Sequence, residues 1–304
     1  MKHLGTLRRD ATYGLGVHVI SLDSEDADNG VDTDELKERL LELFRSPSYR
    51  PPLLPAVAVE LLALTRMPEV RVSEVVRLLG HDAVLAGQVL NVARSAAYAR
   101  GEPLRSLEEA IVRLGLSRIA DIFLRVSLEA KVFRAAGYAE PMARLRRHSA
   151  FVAEGARLVS QATCGLDDHA FLCGLLHDVG IAACILALSG PLRDRVKGDF
   201  ERAWPTVRAI HASCSELLAK VWGLPPDVSL VLGLHHQPES DGRVHPLAAA
   251  IRFADCFSEH VDRGFMSDAE PELLAQCTLQ LGLNRATRDK LESALRKLAN
   301  DLGD

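Results

Sequence analysis

The chain has 304 residues, 48% of them hydrophobic, 25% charged and only 5% aromatic, with a formal net charge of −5. This composition describes a globular protein with an aliphatic core, long enough for one large domain or two small ones. The acidic balance argues against non-specific nucleic-acid binding, which runs on Lys and Arg against phosphates, so DNA is not an expected partner.

In chain order, residues 1–33 read as a flexible acidic leader, with Asp23, Glu25, Asp26, Asp28, Asp32 and Asp34 in or beside it. A first helix follows, with Leu36, Leu40, Leu43 and Phe44 on one face. Pro51, Pro52 and Pro55 interrupt the chain, after which helical signals are dense. Ser73-Glu74 opens one helix. Asp82, after His81, is an N-cap for another that carries Leu85, Val89, Val92 and Ala96. Ser106-Leu107-Glu108-Glu109 has the form of a capping box, and Gly115 reads as the left-handed residue that ends that helix.

Further helices are expected at about 141–162, 168–187, 206–222, 226–235, 246–262, 270–281 and 286–301. Gly223-Leu224-Pro225-Pro226 is a stop signal. No segment alternates with period two for long enough to support a sheet, so the fold class is all-α. The segment 135–142 is the expected join between an N-terminal helical subdomain (34–140) and a second one (141–262), with C-terminal helices at 263–304.

Six cysteines (Cys164, Cys173, Cys184, Cys214, Cys256 and Cys277) form no Cys-x-x-Cys pair. They read as small core residues in a reducing compartment. There is no charged-then-apolar signal segment, and no apolar run is expected to reach the roughly 20 residues that span a bilayer. A cytoplasmic protein with no membrane partner is the expectation. Arg144, Arg146 and Arg147 form a local basic cluster, read as a solvated helix face with anion contact as the alternative.

The informative pattern is His148, His177-Asp178, His211, His235-His236 and Asp255. Leu175, Leu176, Val179 and Ile181 surround His177-Asp178, and a buried imidazole or carboxylate must be hydrogen-bonded, neutralised or bound to a cation. Any one of these histidines alone is more simply a satisfied core residue. Their joint order points instead to a metal site. Mixed imidazole and carboxylate ligands suit one or two divalent transition ions (Fe, Mn, Zn or Ni) better than Ca or Mg. His169, His245 and His260 lie in polar contexts and read as surface residues.

The order His, His-Asp, His, His-His, Asp resembles the HD superfamily of metal-dependent phosphohydrolases. The chain is more similar still to the HDOD family of bacterial signalling output domains. Pro52-Leu53-Leu54-Pro55, Ser106-Leu107-Glu108-Glu109, Gly174-Leu175-Leu176-His177-Asp178-Val179-Gly180 and Trp222-Gly223-Leu224-Pro225 carry that likeness over about residues 45–262. The resemblance implies a multi-helix bundle of the HD/HDOD type. It also implies a first ion on His148, His177, Asp178 and Asp255, and a second on His211, His235 and His236, with Asp178 bridging. The expected role is a signalling or regulatory module. The alternative is a phosphohydrolase acting on a nucleotide or cyclic dinucleotide. Implied partners are a nucleotide or phosphorylated small molecule and a signalling protein. Two departures from the related HD-GYP phosphodiesterases weigh against hydrolysis. Ile181 stands where they carry Lys, and no Gly-Tyr-Pro follows the paired histidines.

Overall fold

A computed structural model describes residues 33–54, 56–65, 67, 69–81, 83–95, 104–163, 169–193, 200–266 and 271–302. The acidic leader up to residue 32, the proposed cap Asp82, Ala96 and Cys164 lie outside these residues. The fold is all-α, as expected. Its helices are α1 (Thr33–Arg45), α2 (Ala56–Leu64), α3 (Val72–Leu79), α4 (Ala83–Ala93), α5 (Leu107–Leu114) and α6 (Leu116–Lys131). They continue with α7 (Ala139–Thr163), α8 (Ala170–Leu176), α9 (Val179–Ser189), α10 (Phe200–Val221) and α11 (Pro226–Leu234). The last are α12 (Pro246–Ser258), α13 (Pro271–Gln280) and α14 (Arg285–Asp301).

Local sequence explains the element ends. The Ser106 hydroxyl accepts from the Glu109 amide at 3.1 Å, and the Glu109 carboxylate accepts from the Arg105 amide at 2.8 Å. The capping box therefore forms, with its return bond one residue earlier than the usual partner. Gly115 has φ 85°, a conformation that costs glycine little. A two-residue antiparallel ribbon, Glu239–Ser240 against Arg243–Val244, was not expected. Asp241-Gly242 at its tip, with φ 52° and 72°, is the Asp-Gly pair of a tight hairpin.

The long helix α7 packs on α8, α12 and α14, while α10 packs on α9, α11 and α1. The apolar pair α8–α9 thus lies between two long helices. Leu36, Leu40 and Phe44 of α1 are buried, and the Thr206 hydroxyl of α10 donates to the Thr33 carbonyl at 3.1 Å. Trp222 Nε1 donates to the Pro52 carbonyl at 2.8 Å, which joins two of the motifs noted in the sequence. Buried apolar residues from Leu36 to Ala299 form one cluster.

Two expectations are corrected. The stretch Ala170–Ser189 is long and apolar enough to cross a membrane, with mean hydropathy 2.1, contrary to the expectation that no run was. It is 94% buried inside the protein, and an all-round apolar helix is what a core position requires. The expected single helix at 168–187 is two helices, α8 and α9, broken at His177-Asp178. His177 Nδ1 donates to the Gly174 carbonyl at 2.8 Å, the acceptor that a continuing helix would offer to residue 178. Asp178 then takes the N-cap position of α9 without capping it, which leaves its carboxylate for other partners.

Candidate metal centre

Two glycines set the position of the His-Asp pair. A Cβ on Gly174 would lie 2.8 Å from the Ala153 Cα and from the Val152 carbonyl of α7. A Cβ on Gly180 would lie 2.8 Å from the Ser215 amide of α10, and the Gly180 amide donates to the Ser215 hydroxyl at 2.8 Å. Bare backbone on both sides lets α8 touch α7 and α9 touch α10. The break between them is thereby held where His148 and His211 project.

Asp178 is at the centre. Its Oδ2 lies 3.4 Å from His148 Nε2 and 3.2 Å from His177 Nε2. Its Oδ1 lies 3.3 Å from His211 Nε2 and 3.4 Å from His235 Nε2. One carboxylate thus divides its two oxygens between two pairs of imidazoles. His148, His177 and Asp178 present ligand atoms within 4.8 Å of one another, as do Asp178, His211, His235 and His236. Asp255 stands beside the first group, with Oδ1 3.5 Å from His148 Nε2. All seven residues singled out in the sequence meet in this one region.

Four of the rings are fixed by their outer nitrogen. Nδ1 of His148 faces the Arg263 carbonyl at 2.9 Å, that of His177 the Gly174 carbonyl at 2.8 Å, that of His211 the Arg208 carbonyl at 2.8 Å and that of His235 the Leu232 carbonyl at 2.6 Å. A carbonyl only accepts, so each Nδ1 carries the proton and each Nε2 turns inward. This outer-partner arrangement orients metal-binding histidines. His236 differs. Arg252 Nη1 donates to its Nδ1 at 2.7 Å, and a guanidinium cannot accept. The neutral ring therefore carries its proton on Nε2, 2.7 Å from His211 Nε2. For His236 to offer a lone pair inward, Arg252 must release it.

Burial and charge act together here. Burial opposes charge on His148, but the contact with Asp178 and the charges of Asp178 and Asp255 outweigh it and raise its pKa to about 9. Burial also opposes charge on Asp178, yet the surrounding imidazoles hold its carboxyl well below the usual range. Burial lowers His235 and His236, and for His236 the charges of His235, His211 and Arg252 add to the effect. Asp178 Oδ1 and His235 Nε2 are buried and have no hydrogen-bond partner. Two orphaned acceptors 3.4 Å apart are costly unless a cation lies between them. The donor set therefore fits a transition metal.

A cavity of about 210 Å³ opens onto the cluster, lined among others by Ile181, Trp204, Arg208, Arg252 and Phe265. Ile181 contributes no charge, but Arg208 and Arg252 do. Sequence reasoning did not single out these two arginines. Their signal was the i, i+3 spacing of Arg208 to His211 and of Arg252 to Asp255. Arg252 Nη1 also holds Asp255 Oδ2 at 2.9 Å. Of the histidines expected at the surface, His260 is exposed. His169 and His245 are half-buried: His169 faces Asp227 at 3.3 Å and His245 caps α12.

Known proteins share this fold. The family model of the HDOD domain matches residues 52–238. Among solved structures, an HDOD domain protein of unknown function from Geobacter sulfurreducens superposes with TM-score 0.68 at 24% identity, covering 88% of this chain and 97% of that one. A candidate metal-dependent phosphohydrolase from Shewanella amazonensis gives TM-score 0.66 at 21% identity, over 88% and 99% of the two chains. A candidate signal transduction protein from Marinobacter aquaeolei gives 0.62 at 19% identity, over 90% and 67%. An uncharacterized protein of Treponema pallidum is 23% identical over 233 residues, 69% of this chain and 42% of its own, so the chain spans about two-fifths of that relative's length. With more than half of its length matched by the family model, and with the helical architecture of its structural neighbours, the chain belongs to the HDOD family.

Proposed function

We propose that this HDOD chain is a bacterial signalling module whose HD-type site holds one or two divalent transition-metal ions. The observation that carries the reading is the division of Asp178 between two imidazole pairs, with its Oδ1 and His235 Nε2 buried and unpartnered. His148, His177 and Asp178, with Asp255 beside them, would hold one ion. Asp178, His211 and His235 would hold the other, joined by His236 once Arg252 lets go. A site built from α7, the α8–α9 break, α10, α11 and α12 ties most of the C-terminal helices to one centre. Occupancy would therefore act on the packing of the whole bundle.

A second reading, phosphohydrolysis of a nucleotide or cyclic dinucleotide, is favoured by one observation. The cavity over the cluster carries Arg208 and Arg252, two cations able to face phosphate oxygens. Bound metal would supply Lewis-acid polarisation and an activated water at neutral pH. Against it stands Ile181, an apolar side chain in the same cavity.

The separating experiment measures bound metals in the purified protein. It then assays phosphomonoesters, nucleotides and cyclic dinucleotides with added Mn or Fe. The module reading expects metal without turnover. Metal-dependent turnover that Asp178→Ala abolishes would overturn it in favour of hydrolysis. Absence of any transition metal, as purified and after reconstitution, would overturn both.

A further inference from the structure

The basic cluster of α7 has a second use, away from the metal centre. Arg146 lies two residues before His148, about 200° around the helix from it, and Arg144 is drawn elsewhere, to the Phe265 carbonyl at 3.3 Å and to Glu140 at 3.7 Å. Arg146 and Arg147 instead join Arg125 of α6 and Arg263, after α12, around a cleft of about 210 Å³. One carboxylate, Glu129, shares the cleft and pairs with Arg125 at 3.1 Å. Four arginines from three segments of a chain with net charge −5 therefore line one small space. Among the residues lining the cleft, four cations stand against one carboxylate, a balance that favours an anion.

Arg146 and Glu129 also line an adjoining, larger cavity of about 680 Å³. That volume lies in the range of small-molecule sites. Gln88 and Asn91 of α4 offer amides along it, Arg134 a further cation, and Phe133 and Met142 apolar surface. One end suits a phosphate, and the other suits a body with hydrogen-bonding edges and a flat apolar face.

We propose that this arginine cleft and the cavity beside it form an effector site for a phosphorylated small molecule of nucleotide size, coupled to the metal centre through Arg263. Arg263 lines the cleft and its Nη2 donates to the Ala299 carbonyl at 2.9 Å. Its own carbonyl accepts from His148 Nδ1 at 2.9 Å. Arg263 follows Asp262, which has φ 54°, and its amide donates to the Ser258 carbonyl at 2.9 Å. One short turn thus carries both an effector contact and the outer partner of a metal-facing imidazole. An anion that fixes this turn fixes His148 with Nε2 inward, and the coupling is reciprocal by linkage. The binding half of the proposal does not depend on the metal reading, and only the coupling does.

The test uses the full chain, freed of metal with a chelator, and AMP as the probe. Saturable binding at one site is expected, with inorganic phosphate competing more weakly. The double variant Arg146→Ala/Arg147→Ala should lose at least about tenfold in affinity, the worth of one or two charge-assisted bonds. The double Lys variant should recover part of that loss. No saturable binding, or unchanged affinity in the double Ala variant with native folding by circular dichroism, would overturn the site. Preferential capture of phosphatidylserine vesicles over AMP would overturn its assignment to a soluble ligand. With AMP present, cobalt should bind several-fold more tightly to the wild type and not to the double Ala variant. Unchanged cobalt affinity in the wild type, with AMP bound, would overturn the coupling.

Discussion

Gly180 and His211 are pressed together so closely that no side chain fits between them. A Cβ added at Gly180 would strike the His211 carbonyl and lie 2.8 Å from the Ser215 amide and 2.9 Å from Cys214 Cβ. Most of what it meets is helix backbone, which cannot turn aside as a side chain can. Gly180→Ala should therefore cost about 3 kcal/mol or more, at the upper end of overpacking penalties. Ser215→Ala removes only the hydroxyl that accepts from the Gly180 amide and should cost about 1–3 kcal/mol for the amide left unpaired. Denaturant unfolding of both variants checks the order. A Gly180→Ala protein as stable as Ser215→Ala would show that α9 and α10 are not in backbone contact.

Asp178 is the ligand whose loss should be felt at both halves of the centre. Asp178→Asn keeps the shape but removes the charge that faces four imidazoles. Metal affinity should fall by more than the roughly 10–100-fold typical of a lost outer partner. A metal-free comparison is also informative. In the folded protein His148 titrates near 9 rather than near 6.5. Its stabilising contribution is complete below about 6.5 and is lost as pH rises through about 9. Chelator-treated wild type should lose stability over that window. Asp178→Asn, which lacks the partner that raises His148, should show a flatter profile. Thermal unfolding between pH 6 and 9.5 reads both.

Neighbouring histidines should carry opposite tautomers. His235 Nδ1 faces the Leu232 carbonyl, while His236 Nδ1 accepts from Arg252. Burial lowers both pKa values, so both rings are neutral at pH 7.5 without metal. Long-range proton–nitrogen correlation spectra should show the proton on Nδ1 of His235 and on Nε2 of His236. Arg252→Met should move the His236 proton to Nδ1 and tighten the second metal equivalent by about tenfold, one charged hydrogen bond's worth. Identical tautomers in the wild type would contradict the arrangement.

The helices and the seven site residues were legible because each leaves a local mark. Ser106 and Glu109 announce a cap, Leu36, Leu40 and Phe44 a buried face, and polar ligands in apolar helices a need for partners. The break at His177-Asp178 was not legible, because it depends on a side chain bonding its own backbone within an unbroken apolar run. Arg252 was missed for a related reason. An arginine three residues before an aspartate reads as a surface pair, and only the packing of α12 against the centre turns it toward His236. The pairing of Oδ1 and Oδ2 with different imidazoles is likewise tertiary, since it arises from α7 and α10 approaching opposite sides of Asp178.

A different carboxylate, remote from the ligand set, should govern stability near neutral pH. Asp121 of α6 sits in the contact with α7, where Arg118 reaches Glu154 at 3.1 Å and Asp121 at 3.9 Å. Burial raises the Asp121 pKa. The Arg118 charge opposes this and the Glu154 charge adds to it, and the result is about 7 in place of 3.8. An acid whose folded pKa is raised favours the fold most while protonated. Its contribution is complete below 3.8 and is lost as pH climbs through about 7. Above that, the ionised group is a liability in the contact. Asp121→Asn keeps the shape without the charge, and Glu154 still pairs with Arg118 and, at 2.8 Å, with Arg157. The variant should nearly match the wild type at pH 4 and exceed it at pH 8 by on the order of 2–4 kcal/mol, since each tenfold change in proton affinity is worth about 1.4 kcal/mol. Denaturant midpoints at the two pH values decide this. A variant less stable than the wild type at pH 8 would mean that the ionised Asp121 is a net partner of Arg118 rather than a buried charge.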